Sequence, residues 1–554
     1  MDNQKNTPPI NFRRMTLLVG IFMILLIVFA RDSSFVKLVL QNFATGESVS
    51  CPSFPAAIVT LNKNTATAQA ISIGTPGFSF ITLDIKANSC GIRLNSLSFK
   101  SYSDGVGHAT VAHLTLHHKG EQVGATLSGS SNSDFTGLDI LIPAGTTQSF
   151  ELRGDVVGDV GQSVGFAYNG MTATDVRSNL TSLVFDEGVL LSGNIMTIVE
   201  PRTISSCQTI DTPGSYVLTR DIISRDTSPC LHVASDSVAI DCEGNSIYAK
   251  DVPSIVVDAV SYVTIRSCAI GRNDPVHSAT LEIKNNSRDV VVVSNTVYGM
   301  IKATKASRVS VENNNITLPL YSDESFAPVW LSGGSLNHVS ENTIDGSSPG
   351  DRTMKVGSDD GVLLENETND TISDNTIHNV YDCGIETIGS LTHSVVDRNL
   401  ISNAGQCGIG GWYGLTITDT IFSNNILDDT FAPFVFFYSD GYGYWSKISA
   451  DFSNNKFIGN IFTHPKEGIA LLPGGHPAEF AILPKGALLR MGITAEHNIF
   501  MNNNFGTYMA PLIWPVGIAE DGGGNSCGPI VSTPPLFIYD EANKYPLDCE
   551  STAS

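Results

Sequence analysis

The second half of the chain repeats a short pattern of apolar and polar positions. In VTIRSCAI, the apolar residues Val263, Ile265 and Ile270 surround Cys268, and later copies of this frame carry asparagine in place of the cysteine. The centres of these copies are Asn295, Asn314, Asn342, Asn375, Asn399, Asn424 and Asn455, at intervals of 19 to 33 residues. A constant frame at unequal intervals indicates short strands joined by loops of variable length.

Stacked coils explain this frame better than separate strands do. A short strand cannot bury a face alone, so successive coils would stack about 4.8 Å apart and share one core. An asparagine at each bend tolerates left-handed backbone geometry, and its amide can bond to the next coil. We therefore predict a parallel β-helix over residues 203–500. A β-sandwich with many asparagine turns is the alternative, and the regular frame disfavours it.

The residues before and after this region follow other patterns. Residues 51–200 alternate apolar and polar positions in runs such as GIRLNSLSF and VAHLTLHH, which predicts an all-β sandwich domain. Glu200-Pro201-Arg202 is the predicted boundary between the two domains. Residues 501–554 lack the frame and are rich in Gly, Pro and Asn, so we expect a loop-rich cap over the last coil.

One uncharged apolar run lies near the N-terminus. Residues 15–30 read MTLLVGIFMILLIVFA, and Lys5, Arg13 and Arg14 precede them. Basic residues before such a run predict a signal anchor, with residues 1–14 cytoplasmic, a stalk at 31–50 and the bulk of the chain extracellular or periplasmic. The alternative is a signal peptide cleaved after Ala30, which would give a secreted protein.

Charge and cysteine content favour the same compartment. The chain has 32 basic and 55 acidic residues, a balance that argues against nucleic acid as a partner. Nothing in the sequence requires a cofactor, although acidic clusters are compatible with calcium. The ten cysteines form no C-x-x-C motif, which indicates disulfides rather than zinc or redox sites. Pairing by sequence neighbourhood is a hypothesis that gives Cys51–Cys90, Cys207–Cys230, Cys242–Cys268, Cys383–Cys407 and Cys527–Cys549.

Two segments carry a resemblance to a known group of proteins. Pro213-Gly214-Ser215-Tyr216 is followed by Ile240-Asp241-Cys242-Glu243-Gly244-Asn245-Ser246-Ile247. Together they resemble the opening coils of the right-handed parallel β-helix superfamily, in its NosD-like and pectate-lyase-like members, over residues 203–500. The resemblance implies the fold. It does not imply one reaction, because that superfamily contains lyases, hydrolases, epimerases, adhesins and scaffolds.

Candidate catalytic residues lie in two segments. Alternation from inward Ile385 places Glu386 outward, opposite Gly410 of the next coil and beside a row of Glu365, Ile388 and Trp412. The insertion GDRTMKVGSDDG supplies Arg352, Lys355, Asp359 and Asp360. By the resemblance, a polysaccharide lyase would use Lys355 or Arg352 as base, with Asp359 and Asp360 holding a cation. A glycosidase would instead use two carboxyl groups among Asp360, Asp382 and Glu386. A solvated loop without function is the competing interpretation.

Aromatic residues suggest a sugar-binding surface. The stretch FAPFVFFYSDGYGYW spans residues 431–445. We predict that Tyr438, Tyr442, Tyr444 and Trp445, together with Trp412, stack against sugar rings. Packing of these rings onto the coils is the alternative.

The functional prediction is an exported surface protein that binds an extracellular polysaccharide or cell-envelope glycan. The scattered ionisable residues favour a non-catalytic adhesin or scaffold. A polysaccharide lyase or glycoside hydrolase acting along the β-helix groove is the alternative. The two differ in whether the candidate residues converge on one face.

Overall fold

A computed structural model of the protein describes residues 57–463 except 64, 66–69, 88–90, 105–106, 130–131, 177–180, 183–190, 225–226, 273–278, 319–326, 351–355 and 437–449. Beyond 463 it describes 471–472, 476–477, 480–481, 493–504, 512–513, 519–527, 537–538 and 550–551. Every element in this part of the chain is a strand, which confirms the all-β prediction. None of the described residues forms a helix long and apolar enough to cross a membrane. The membrane helix predicted at residues 15–30 lies outside the described residues.

The first eleven strands form two sheets. Strands β1 to β11 are Ala57–Leu61, Ala70–Ser72, Phe78–Ala87, Ile92–Tyr102, Val111–His118, Glu121–Leu127, Asn132–Ile142, Thr147–Val156, Ser163–Asp175, Thr181–Ser182 and Met196–Val199. The five-stranded sheet has the order β1-β3-β8-β5-β6, and the six-stranded sheet has β2-β11-β9-β4-β7 with β10 beside β9. Both sheets contribute to one buried cluster that includes Phe80, Phe99 and Phe150. The sandwich domain predicted for residues 51–200 remains a proposal, which these two sheets support.

The remaining strands are short and repeat along the chain. Strands β12 to β41 are Arg202–Ile204, Gln208–Ile210, Gly214–Leu218, Ile222–Ser224, Leu231–Val233, Val238–Asp241, Ser246–Ala249, Ile255–Asp258, Ser261–Arg266, Ala269–Gly271, Leu281–Lys284, Arg288–Val293, Thr296–Tyr298, Ile301–Thr304, Ser307–Glu312, Asn315–Thr317, Val329–Ser332, His338–Ser340, Thr343–Asp345, Val362–Thr368, Thr371–Ser373, Thr376–Val380, Cys383–Thr392, Val395–Asp397, Leu400–Thr418, Ile421–Ser423, Ile426–Phe436, Ala450–Ser453, Lys456–Ile458 and Ile461–Thr463. Strands β42 to β51 are Leu471–Leu472, His476–Pro477, Phe480–Ala481, Ile493–Glu496, Asn498–Met501, Leu512–Ile513, Ala519–Asp521, Ser526–Cys527, Phe537–Ile538 and Glu550–Ser551.

Most of these strands stack in parallel into two long sheets, of 13 and 21 strands, while β42-β43, β44-β50 and β49-β51 form three two-stranded sheets. The register follows the sequence frame: Val263 pairs with Val290, and Val290 pairs with Val309. These valines point inward and are almost fully buried, as are the other aliphatic residues in the same position of each coil. Each fully buried Val or Ile contributes roughly 1.5–3 kcal/mol, so the stacked rows explain why the coils associate. The predicted parallel β-helix is confirmed.

Buried asparagines form a continuous ladder at one bend. Asn295 Nδ2 donates to Asn314 Oδ1 at 3.0 Å, and each amide bonds to the next coil in the same way. The members of this first ladder are Asn295, Asn314, Asn342, Asn375, Asn399, Asn425, Asn460, Asn503 and Asn525. The predicted ladder is therefore present. Its amides satisfy buried hydrogen-bonding groups that water cannot reach.

Two predicted members of this ladder are wrong. Asn424 is exposed with φ of 53°, and its neighbour Asn425 takes the ladder position instead. Asn455 belongs to a second ladder at another bend, where Thr420 N–H donates to Asn455 Oδ1 and Asn455 Nδ2 donates to Asn498. Both bends consist of a left-handed residue followed by a buried polar one. The local sequence therefore looks alike at the two bends.

Three of the five predicted disulfides are present. Cys207–Cys230, Cys242–Cys268 and Cys383–Cys407 have Cα–Cα distances of 4.4, 4.7 and 4.5 Å. Cys383 and Cys407 are direct register partners in neighbouring coils, as their repeated sequence context predicts. The other two predicted pairs involve Cys51, Cys90 and Cys549, which lie outside the described residues.

The N-terminal sheets contact one bend of the first coils. Tyr262 Oη lies 3.2 Å from His117 Nδ1, and the Arg153 guanidinium lies 4.1 Å from the Tyr262 ring centroid. Arg308 binds Glu121 of β6 at 2.7 Å. Burial lowers the pKa of His117 to about 4 and raises the pKa of Tyr262 to about 12, with smaller effects from Arg153. His117 is therefore neutral at this contact near pH 7.

Candidate functional site

A row of side chains runs along the outer face of the 21-stranded sheet. Register partners in successive coils place Glu282, Lys302, Trp330, Leu363, Glu386 and Gly410 in this row, which we call the outer row. The residues on either side of each member point into the core, as Ile385 and Thr387 do around Glu386. The predicted register of Glu386 with Gly410, and of Glu365 with Ile388 and Trp412, is confirmed.

Four acidic residues meet at the bend before β34. We call Asp359, Asp360, Asp382 and Glu386 the carboxyl cluster. The backbone holds the bend, because Asp382 N–H donates to Asp359 O at 2.6 Å and Cys383 N–H donates to Asp360 Oδ1 at 3.2 Å. The side chains of Asp360 and Glu386 hydrogen-bond to each other, although 26 residues separate them. The stacked coils thus bring together the two carboxyl groups that the sequence placed in different segments.

The carboxyl cluster favours the protonated form of its central pair. Asp360 and Glu386 are each 5% exposed. Burial raises the pKa of Asp360 well above its usual range, and the nearby Asp382 raises it further. Burial also raises the pKa of Glu386, with added repulsion from Asp360 and Asp382. Each of the two groups therefore binds a proton more readily than an exposed carboxyl group does, and their hydrogen bond lets them share it.

A second buried carboxyl pair lies at another bend and serves as a comparison. Glu367 accepts from Gly334 N–H at 2.8 Å and from Asn337 Nδ2 at 2.9 Å, and Asp370 accepts from Asn337 N–H at 2.8 Å. Burial raises the pKa of Glu367 to about 9 and that of Asp370 to about 6. These hydrogen bonds make Glu367 and Asp370 part of the second ladder. Proton sharing between buried carboxyls is thus also a structural device in this fold.

The carboxyl cluster is a poor metal site as it stands. The carboxyl oxygens of Asp360 and Glu386 and the Cys383 sulfur lie within 4.8 Å of one another. The sulfur is bonded to Cys407, so it is not a thiolate ligand. Calcium prefers six to eight oxygen ligands, which two proton-sharing carboxyl groups do not provide. The calcium site predicted at Asp359 and Asp360 stays a prediction.

Several predicted site residues cannot be placed in this geometry. Arg352 and Lys355 lie outside the described residues, and so do Tyr438, Tyr442, Tyr444 and Trp445. Trp412 has a described backbone position beside Ile388, but its side chain is outside the description. The lyase base and the aromatic platform therefore stay predictions. Among the predicted catalytic residues that the structure describes, Asp360 and Glu386 lie together.

A half-buried aromatic residue on the outer row was not predicted from the sequence. The Lys302 ammonium lies 3.5 Å from the Trp330 ring centroid. Trp330 Nε1 donates to Glu365 Oε2 at 3.3 Å, and Ser332 Oγ donates to the same oxygen at 2.8 Å. The segment VWLS indicates only that Trp330 points outward, because its neighbours Val329 and Leu331 are buried. We call Lys302, Trp330 and Glu365 the tryptophan cluster.

Comparison with known proteins assigns the fold. Residues 281–525 match a family model described as "Right handed beta helix region". With the parallel register described above, this match confirms the resemblance of this part of the chain to the right-handed parallel β-helix superfamily. No curated protein matches the chain by sequence.

Solved structures share the architecture at low similarity. The Dettilon tailspike protein is 13% identical, with a TM-score of 0.39 over 60% of this chain and 63% of the tailspike chain. PfbA, a surface adhesin of Streptococcus pneumoniae, is 13% identical, with a TM-score of 0.35 over 57% of this chain and 81% of its own. The family 28 exopolygalacturonase of Yersinia enterocolitica is 9% identical, with a TM-score of 0.37 over 88% and 98%. At these values the likeness concerns the fold alone.

Proposed function

We propose that the protein is exported, binds an extracellular polysaccharide along the outer row, and hydrolyses a glycosidic bond at the carboxyl cluster. The observation that carries this proposal is the hydrogen-bonded, buried pair of Glu386 on the outer row and Asp360 beside it. Glycoside hydrolysis requires a carboxylic acid that stays protonated near pH 7 and a second carboxylate nearby. The carboxyl cluster supplies groups of both kinds.

The chemistry assigns one role to the pair and another to its neighbour. Asp360 and Glu386 share a proton, so together they act as the general acid that protonates the leaving oxygen. Asp382 is the nearby carboxyl whose charge acts on both of them, and it takes the second role, as base or nucleophile. The rate should therefore fall on the alkaline side, as the pair loses its proton.

Export is part of the same proposal. Disulfides form and persist in oxidising compartments, and the three observed ones join neighbouring coils. They support the predicted anchor at residues 15–30 with the bulk of the chain outside, or a secreted form if that segment is cleaved. A sandwich domain and a loop-rich cap complete the proposed organisation.

A non-catalytic glycan binder is the second candidate, and one observation favours it. Asp360 and Glu386 are as deeply buried as many core residues, and Glu367 with Asp370 shows that this fold uses a buried pair structurally. In that case the carboxyl cluster would only hold the bend at the Cys383–Cys407 disulfide. The outer row would then bind a glycan without cleaving it.

One experiment separates the two candidates. The full chain and its Glu386→Gln and Asp360→Asn variants are incubated with neutral and acidic polysaccharides, and new reducing ends are measured. We expect cleavage by the wild type and a loss of about 10²–10⁴-fold in the two variants, the usual contribution of general acid catalysis. Glu367→Gln is the matched control, because it alters the other buried pair, and it should retain activity.

Other results would change the assignment. Binding of a polysaccharide without new reducing ends would contradict hydrolysis and support the non-catalytic binder. Products that absorb ultraviolet light would indicate lyase cleavage instead and would direct attention to Arg352 and Lys355. Equal activity in the wild type and Glu386→Gln would exclude the carboxyl cluster as the acid.

A further inference from the structure

The tryptophan cluster fixes a cation on the outer row. Buried Ala279, Met300 and Leu318 pack against one part of the Trp330 side chain, and Glu365 accepts its indole N–H. The Lys302 ammonium lies over the ring, where cation–π attraction holds it. The indole thus restrains a side chain that is normally mobile, which lowers the entropy lost when Lys302 binds an anion.

Lys302 differs from the other lysine nearby in its partners. Lys284 pairs with Glu282 at 2.7 Å, which neutralises both charges. Lys302 has no carboxylate partner within 4.0 Å among the described residues. Glu365, the closest acid of the cluster, already accepts two hydrogen bonds, from Trp330 and Ser332. Because the indole ring accepts no full hydrogen bond, the N–H groups of the Lys302 ammonium stay available to donate to a ligand.

The outer row changes sign along its length. Lys302 and Glu386 are separated by Trp330 and Leu363, which is three strand spacings or about 14 Å. An anionic group is favoured beside Lys302 and disfavoured at the carboxyl cluster, where Asp382 already repels added charge. Beyond Lys302 the row continues with Glu282, whose charge Lys284 neutralises, so an extended polymer would meet a net cation at Lys302 and acids at the carboxyl cluster.

We propose that the polymer is an acidic heteropolysaccharide, in which Lys302 binds the carboxylate of one sugar while an uncharged sugar occupies the carboxyl cluster. The inference deepens the proposed function and rests on its glycan-binding part. It excludes a homopolymer of uronic acids, which would place a carboxylate against Asp360 and Glu386. It also gives Trp330 the role of a positioning residue, since the indole acts through Lys302.

Binding measurements on the full chain test this inference without relying on cleavage. Titration calorimetry compares four probes: hyaluronan, in which uronate and neutral sugars alternate, its carboxyl-reduced form, polygalacturonate, and neutral galactan. In the wild type we expect hyaluronan to bind about three- to tenfold more tightly than its carboxyl-reduced form and than polygalacturonate, as one partly exposed ion pair provides. The preference should weaken as salt is added.

Variants assign the preference to the cation. Lys302→Met keeps the apolar stem over Trp330 and should bind hyaluronan and its reduced form equally. Lys302→Arg should retain the preference, and so should Lys456→Met, which removes an exposed lysine from the other long sheet. Trp330→Leu should weaken the preference while the charge remains.

Three results overturn the inference, and they are distinguishable from failure of the proposed function. A preference that survives Lys302→Met, or polygalacturonate as the tightest ligand, rejects the role of Lys302. Cleavage of galactan but not of hyaluronan also rejects it, while the hydrolase proposal stands. Absence of binding to all four probes, together with no cleavage of any polysaccharide, rejects both.

Discussion

Replacing Asn425 with alanine removes a buried amide that joins three coils. Asn425 Oδ1 accepts from the backbone N–H and the Nδ2 of Asn399, both at 3.0 Å. Its Nδ2 donates to Val396 O at 2.9 Å and to Asn460 Oδ1 at 3.0 Å. Asn424, the next residue toward the N-terminus, is exposed and donates to Asp397 instead. The two adjacent asparagines therefore form a matched pair that differs in ladder membership.

The magnitude follows from the groups left without partners. Asn399 Nδ2 keeps its bond to Ile372 O, and Asn460 Oδ1 keeps the backbone N–H of residue 425. The Asn399 N–H and the Val396 C=O lose the bonds described above. A stranded buried group costs about 1–3 kcal/mol, so Asn425→Ala should destabilise the coils by about 2–6 kcal/mol. Asn424→Ala loses one exposed hydrogen bond and places alanine at a left-handed backbone position that asparagine tolerates better. We expect a cost of about 1–2 kcal/mol.

Hydrogen exchange at the neighbouring strands is the assay, because stacked coils need not unfold in one step. Amides of Val395–Asp397 and of the first residues of Leu400–Thr418 should lose protection strongly in Asn425→Ala and slightly in Asn424→Ala. The melting temperature of the β-helix should fall in the same order. Equal loss in the two variants, or a larger loss in Asn424→Ala, would refute the assignment of Asn425 to the ladder.

Two further predictions concern the buried carboxyl pairs. Burial raises the pKa of Glu367 from 4.5 to about 9, so the folded state binds a proton that the unfolded state lacks, and stability is lost as pH rises across that interval. In calorimetry, Glu367→Gln should make the melting temperature nearly independent of pH between pH 5 and pH 9, whereas the exposed control Glu341→Gln should not. A wild-type melting temperature that does not fall over this range would contradict the prediction. Asp360→Ala should lower hydrolysis about 10²–10⁴-fold and destabilise the protein by about 1–3 kcal/mol, because the buried Cys383 N–H and the Glu386 carboxyl group lose their partner; an unchanged melting temperature would contradict these contacts.

The repeated frame was sufficient to predict the coils, because the inward positions must be apolar in every coil. The valines at 263, 290 and 309 stack directly, and the disulfide between Cys383 and Cys407 follows from the same register. The frame could not separate the two bends, since Asn454 and Asn424 are both left-handed residues followed by a buried asparagine. Which bend a segment belongs to depends on the length of the preceding loop, and the local sequence does not contain that information.

The candidate site was predictable in part for a related reason. Alternation correctly gave Glu386 an outward position, but an outward position does not imply exposure, and Glu386 is buried. Its contact with Asp360 depends on how the preceding coil turns. Trp330 follows residues 319–326, which carry no copy of the frame, so nothing in the sequence assigned it to the outer row. The register of that coil becomes evident only from the pairing of Trp330 with Lys302 and Leu363.

The positions of the two carboxyl pairs in the stack give a physical reason to treat them differently. Asp370 lies in a polar column, in which the backbone N–H of each coil donates to the polar side chain of the next through Ser394 and Thr420. In this column the Oδ1 of Asp370 accepts the backbone N–H of Asn337 at 2.8 Å. Asp360, by the register of β31 with β34, lies in the column of Cys383 and Cys407, both fully buried.

The next members of that column are cysteines, and burying an acid there costs several kcal/mol unless it is paired, as Asp360 is with Glu386. A residue that conflicts with its structural surroundings is the expected sign of a functional site. The same reasoning supports our proposal that Asp360 is functional and Asp370 structural, although both have raised pKa values. Raised pKa values alone would not have separated them, whereas the composition of each column does.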